Sequence, residues 1–123
     1  MATLFYEAEE KLSWSAEAFT NENWGDSIYH SYAAIISGAK ALLLDKQVHV
    51  NTHHALIGDF DKHLIATNEI SLGKTFSELA LQINKREPSK EFAGDYFLEA
   101  SEFLKKVKTY RSKNRVEENI NLN

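Results

Sequence analysis

Tyr29-His30-Ser31-Tyr32-Ala33-Ala34-Ile35-Ile36-Ser37-Gly38-Ala39-Lys40-Ala41-Leu42-Leu43-Leu44 is the stretch that decides the fold. Extended back to Trp24, it sets Trp24, Ile28, Tyr32, Ile35, Ala39, Leu42 and Leu43 at steps of three and four, the spacing of one helical face. Ala33, Ala34, Ile36 and Ala41 fall on the other side, so this helix is predicted to be buried on more than one face. A helix of that kind needs partners around it, and we read it as the central member of a bundle.

The flanking segments supply the partners. Upstream, Phe5, Ala8, Leu12, Ala16 and Phe19 share a face, with Thr3 as the predicted N-cap and the polar Thr20-Asn21-Glu22-Asn23 as the break before the central helix. Downstream, residues 46–51 read as a loop, with Asn51 or Thr52 as the next cap. Leu56, Ile57, Phe60 and Leu64 define a third helix, and residues 66–73 a second loop. Phe76, Leu79, Ala80 and Ile83 mark a fourth helix that must end near Arg86, because Pro88 restricts its predecessor and breaks the hydrogen-bond ladder. Ser89 is placed to cap a fifth helix, in which Phe92, Tyr96, Ala100, Phe103, Val107 and Tyr110 align. The fold class is all-α, an up-and-down bundle of roughly four to five helices over residues 1–111. Residues 112–123 are polar and Asn-rich and are expected to form a flexible tail.

The bulk properties agree. The chain has 123 residues, 43% apolar and 26% charged, which suits one globular domain. It has no cysteine, so disulfides, thiolate metal sites and thiol catalysis are excluded. The N-terminus has neither a basic start nor an apolar run, and no stretch approaches the ~20 apolar residues of a membrane span. The expected location is cytoplasmic, without a membrane partner. Fourteen Lys and Arg against eighteen Asp and Glu leave a net charge of −4, which argues against nucleic-acid binding over the whole surface but leaves room for a local basic face.

Residues that carry chemistry were sought next. His49, His53, His54 and His63 lie near Asp59 and Asp61, but His53 and His54 are adjacent and diverge on a helix, and no His-Glu-x-x-His pattern occurs. No Glu has a His three positions later, which removes the carboxylate di-metal bundle. The five glycines are isolated, so no phosphate-cradling loop is read, and Gly38 is assigned to close helix approach. No metal and no cofactor are expected. Lys105, Lys106, Lys108, Arg111, Lys113 and Arg115 follow one another without an intervening acid. Such a run can contact phosphates; it can equally complement the macrodipole at a helix C-terminus.

The quoted stretch, with its tyrosine-alanine core and Ala-Lys-Ala-Leu-Leu ending, resembles the second helix of the HEPN family (higher eukaryotes and prokaryotes nucleotide-binding domains). Thr52-His53-His54-Ala55-Leu56-Ile57-Gly58-Asp59-Phe60 is similar to that family's next segment, and Asp95-Tyr96 to an Asp-Tyr in its last long helix. The likeness spans roughly residues 4 to 110. It implies a four- or five-helix bundle, commonly homodimeric. Many members are ribonucleases or toxins with an Arg-x(4–6)-His motif; others bind RNA, nucleotides or partner proteins without catalysis, often beside a nucleotidyltransferase. Arg86 matches the arginine. The histidine would fall at 91, 92 or 93, where the chain has Glu91, Phe92 and Ala93. Pro88 also interrupts the motif.

The residues around Gln82–Ala93, with Ala8–Trp14, further resemble helical segments attached to bacterial nitrite/sulfite reductase-like proteins. That likeness implies an accessory domain or a reductase partner, with the redox chemistry outside this chain because it has no cysteine.

The reading is a non-catalytic HEPN-like module for dimerisation and for binding a partner, nucleotide or RNA, with contacts through Arg86, Lys105, Lys108 and Arg111. The enzyme alternative is a divergent ribonuclease or toxin component using Arg86 with Glu91, His53 or His54.

Overall fold

A computed structural model describes the backbone of residues 2–122 and the side chains of residues 3–114. Five helices follow in order: α1 (Ala2–Thr20), α2 (Trp24–Asp45), α3 (His53–Phe60), α4 (Phe76–Ala80) and α5 (Lys90–Leu122). A π turn, Asp61–Ile65, extends α3, and a 3₁₀ turn, Leu81–Asn84, extends α4. No strand occurs among the described residues.

The central role of α2 follows from its composition. Ile35, Ala39, Ala41 and Leu43 are fully buried, and α2 packs against α1 on one side and α5 on another. The α1–α2 seam is close because small residues line it. Ser15, Ser27 and Ser31 are buried there and satisfy one another: Ser15 Oγ lies 2.7 Å from Ser31 Oγ, and the Ser27 hydroxyl donates to the Ser15 carbonyl at 2.9 Å. At the α2–α5 crossing, a Cβ on Gly38 would lie 2.5 Å from Leu104 Cδ2, so the glycine sets how near α5 can come. Phe60, Phe76 and Phe103 then close the core beneath α3 and α4, with ring centroids 4.4–5.5 Å apart.

The caps account for most boundaries. The Thr52 hydroxyl accepts from Ala55 N, Thr75 and Glu78 form a capping box, and Ser89 Oγ accepts from Phe92 N at 3.0 Å. Thr3 is not a cap: α1 already includes Ala2, which puts Thr3 in its first turn. The ends of α1 and α2 share one device. Glu22 and Gln47 take positive φ, and the following amides of Asn23 and Val48 reach back to Ala18 O and Leu43 O. Backbone helix continues past residue 111 to Leu122. The expected flexible tail, residues 112–123, falls largely outside the residues whose side chains are described.

Candidate functional site

Two polar regions lie along α5, one at its head and one around its middle. The first surrounds Arg86. Pro88 ends the fourth segment, Ser89 starts α5, and the Arg86 side chain folds back over the new helix. Its guanidinium carbon lies 4.4 Å from the centroid of Phe92, and Nη2 is 3.5 Å from Asp95 Oδ2. Of the three positions that could complete an Arg-x(4–6)-His motif, Phe92 and Ala93 face the core, at 1% and 0% exposure. Glu91 is exposed and faces the groove between α1 and α5 with Phe19, Phe97 and Leu98. His53 is engaged elsewhere: its Nδ1 lies 3.1 Å from the Tyr32 hydroxyl, whose pKa burial raises. His54 is exposed on the first turn of α3. Among the described residues, the groups in contact with the Arg86 guanidinium are Phe92 and Asp95; the structure does not bring Glu91, His53 or His54 into that contact. Just behind, Tyr96 is fully buried and donates to the Ala80 carbonyl at 2.6 Å, and burial pushes its phenol pKa strongly upward. It is a structural tie between α5 and α4.

The second region is the lysine-rich stretch of α5, and here one expected contact is corrected. Arg111 is not on the basic face. It follows Leu104 and Val107 at helical steps on the inward side, is 7% exposed, and donates through Nε to Asp45 Oδ2 at 2.7 Å. Its guanidinium also lies 5.5 Å from the Phe5 ring, and Nη2 is buried without a partner. The arginine ties α5 to the end of α2. A buried charge so engaged is costly to expose and does not serve as a surface phosphate contact.

The remaining cations divide by helical position. Lys108 lines the α1–α5 groove with Phe5 and Leu12, while Lys105 borders both that groove and a second concavity. This concavity, a cleft of about 660 Å³, lies between α5 and the loop that follows α3. Lys105, Lys106, Thr109, Tyr110, Lys113 and Asn114 form one wall, and Asn68, Glu69, Ile70 and Ser71 the other. Both walls are fixed. Ile70 is buried and its amide bonds Leu64 O; Lys106 Nζ donates to Ser71 O at 2.7 Å. Glu69 accepts from Lys46 at 2.6 Å, from the Tyr110 hydroxyl and from Thr67 at 2.9 Å. The hydrogen bond from Lys46, then that from Tyr110, pulls the Glu69 carboxyl down to about 2. Lys106 and Lys113 are therefore the cations that join Lys105. Sequence showed the run but not the register that separates them from Lys108 and Arg111.

The histidine and aspartate cluster has other duties. Both carboxylate oxygens of Asp61 accept from the amides of Phe76 and Ser77, at 2.6 and 3.0 Å, so this aspartate caps α4. Among the described residues, no three His, Asp or Glu side chains converge as a metal would require. His30 lies edge-on to Trp14 and Tyr29, with centroids 5.7 and 5.8 Å away, in a partly exposed aromatic cluster that no sequence motif groups.

Fold and site define a class of protein: an all-α bundle whose last long helix is preceded by an arginine and flanked by polar clefts. The chain belongs to the HEPN domain family, whose model matches residues 1–119. Membership places it among modules associated with nucleotide binding, RNA binding or ribonuclease activity. No curated protein and no solved structure gives a significant match. No described helix is long and apolar enough to cross a membrane.

Proposed function

We propose that the chain is a non-catalytic HEPN module that forms a homodimer and binds RNA or a nucleotide. The observation that carries the first part is the head of α5. The family's ribonuclease motif needs an imidazole five to seven residues beyond Arg86, and the chain offers one exposed carboxylate and two buried apolar side chains there. A carboxylate in place of an imidazole cannot supply a cation to an RNA phosphate, and it adds like-charge repulsion. Packed on Phe92 and facing Asp95, Arg86 already has a structural role. The dimer and the ligand class rest on family membership. A cytoplasmic location and a nucleotidyltransferase or reductase-like partner belong to the same proposal.

Incubating the purified protein with mixed RNA, beside an Arg86→Ala control, tests the catalytic half. The expected result is intact RNA with both proteins. Cleavage by the wild type that disappears in Arg86→Ala would establish the ribonuclease alternative instead. Light scattering after size exclusion tests the dimer: a mass near 28 kDa, twice the 14.0 kDa of one chain, is expected, and monomer at all concentrations overturns it.

A further inference from the structure

The lysines of the second region lack the ordinary reason for their position. A cation in the last turn of a helix complements the macrodipole, but α5 continues to Leu122, nine residues beyond Lys113 (122 − 113), and the dipole effect is confined to the terminal turn. Carboxylates offset them only in part. The nearest partner of Lys105 is Glu102 at 3.8 Å, both well exposed, and Lys113 has no ion pair among the described residues. Glu69, the carboxylate on the facing wall, is occupied by Lys46, Tyr110 and Thr67. Three lysines thus border one cleft on a chain of net charge −4.

The cleft offers more than charge. Lys106 uses one of its three N–H donors on Ser71 O, leaving two. Ser71, Thr109, Asn68 and Asn114, all with neutral polar side chains, line the same space. The loop wall is held by the buried Ile70 and by the Glu69 network, so little ordering remains to be done when an anion enters. Neutral and cationic donor residues on two facing walls suit the oxygens of a phosphate group.

We propose that this cleft binds the phosphate groups of a nucleotide or of a ribonucleotide chain, with Lys105, Lys106 and Lys113 as the cations and Ser71 and Thr109 as neutral donors. The inference rests on the RNA- or nucleotide-binding reading above and assigns it a location remote from Arg86.

The test is titration of the full chain with ATP, with a fluorescein-labelled single-stranded RNA 12-mer, and with inorganic tripolyphosphate. Wild type is compared with the triple variant Lys105→Gln/Lys106→Gln/Lys113→Gln, with Lys113→Glu, and with Lys90→Gln. Lys90 stands about 24 Å from Lys106 along the helix, at 1.5 Å per residue. Lys113→Glu keeps the Lys106–Ser71 bond, so a lost interaction there is not a loss of fold, which circular dichroism checks in each variant. For three phosphate contacts to a single strand, RNA affinity falls about 20-fold between 50 and 200 mM salt. The triple variant is expected to bind at least about 10-fold more weakly and to lose most of that salt dependence. Lys90→Gln binds like wild type.

ATP binding without RNA binding assigns the phosphates to a free nucleotide; the converse assigns them to a chain. Tripolyphosphate binding alone sustains the cleft and removes the RNA or nucleotide reading. RNA or ATP binding that is equal in wild type and triple variant overturns the cleft and leaves that reading standing. Absence of binding by all three probes overturns both.

Discussion

The head and the middle of α5 both carry polar side chains and use them in opposite ways. At its head, Arg86 is stacked on Phe92 and faces Asp95, while the helix immediately turns apolar residues into the core. Around its middle, Lys105, Lys106 and Lys113 border a cleft whose opposite wall is already held in place by Glu69 and Ile70. A charged group whose contacts are satisfied within the protein stabilises the fold; charged residues bordering an open cleft with few counter-ions are available to a ligand. Arg111 shows how little separates the two cases. It belongs to the same basic run as the lysines, yet its register turns it inward onto Asp45.

Four substitutions test this contrast. Phe92→Ala removes a fully buried ring and the platform under Arg86, and is expected to lower unfolding free energy by about 3–5 kcal/mol. RNA affinity of the folded fraction stays the same, and a parallel loss of affinity would tie ligand binding to the head of α5 after all. Tyr96→Phe deprives the Ala80 carbonyl of its donor, for a loss of about 1–2 kcal/mol in urea denaturation. No change in midpoint would mean that α4 is held by packing alone.

Arg86→Ala gives up a solvent-accessible cation–π contact and a long ion pair, together about 0.5–1 kcal/mol. Binding is unaffected, so any defect in RNA affinity from this change blurs the distinction between the two regions. Glu69→Gln has the smallest effect on stability, under about 1 kcal/mol at neutral pH for so exposed a network. Its sign follows from the lowered carboxyl. The stabilisation from Glu69 is fully present above its unfolded value near 4.5 and is lost as pH falls toward about 2. The difference between wild type and Glu69→Gln in urea midpoint therefore shrinks through that window. A difference that stays constant from pH 6 to pH 2.5 contradicts the assigned network.

Much of this architecture was legible in the amino acids, and the gaps have physical causes. The apolar steps of Trp24–Leu44 announced the central helix because burial on several sides leaves no ambiguity of period. Ser89 was readable as a cap, and Thr52 as one of two candidates with Asn51, since a side-chain oxygen at a helix start can accept from the first free amides. The stops after α1 and α2 were legible from the polar Thr20–Asn23 break and the loop beginning at residue 46, but their left-handed positions were not, because these hold Glu22 and Gln47 rather than glycine.

Around Arg86, the absence of a nearby histidine in sequence could be stated at positions 91–93, but the stacking on Phe92 could not. The cleft was hidden for a different reason. Its loop wall, Asn68–Ser71, comes from a segment with no periodicity, and only tertiary structure sets it against α5. Ser15, Ser27 and Ser31 likewise carry no apolar signal, and only the α1–α2 seam brings their hydroxyls together.

Amide chemical-shift mapping of the ¹⁵N-labelled chain during titration with single-stranded RNA tests the account most directly. Perturbations are predicted at Asn68, Ser71, Lys106, Thr109 and Lys113, with Arg86, Phe92 and Asp95 unmoved and the RNA intact at the end. Shifts centred on Arg86 and its neighbours, accompanied by RNA fragments, would contradict it.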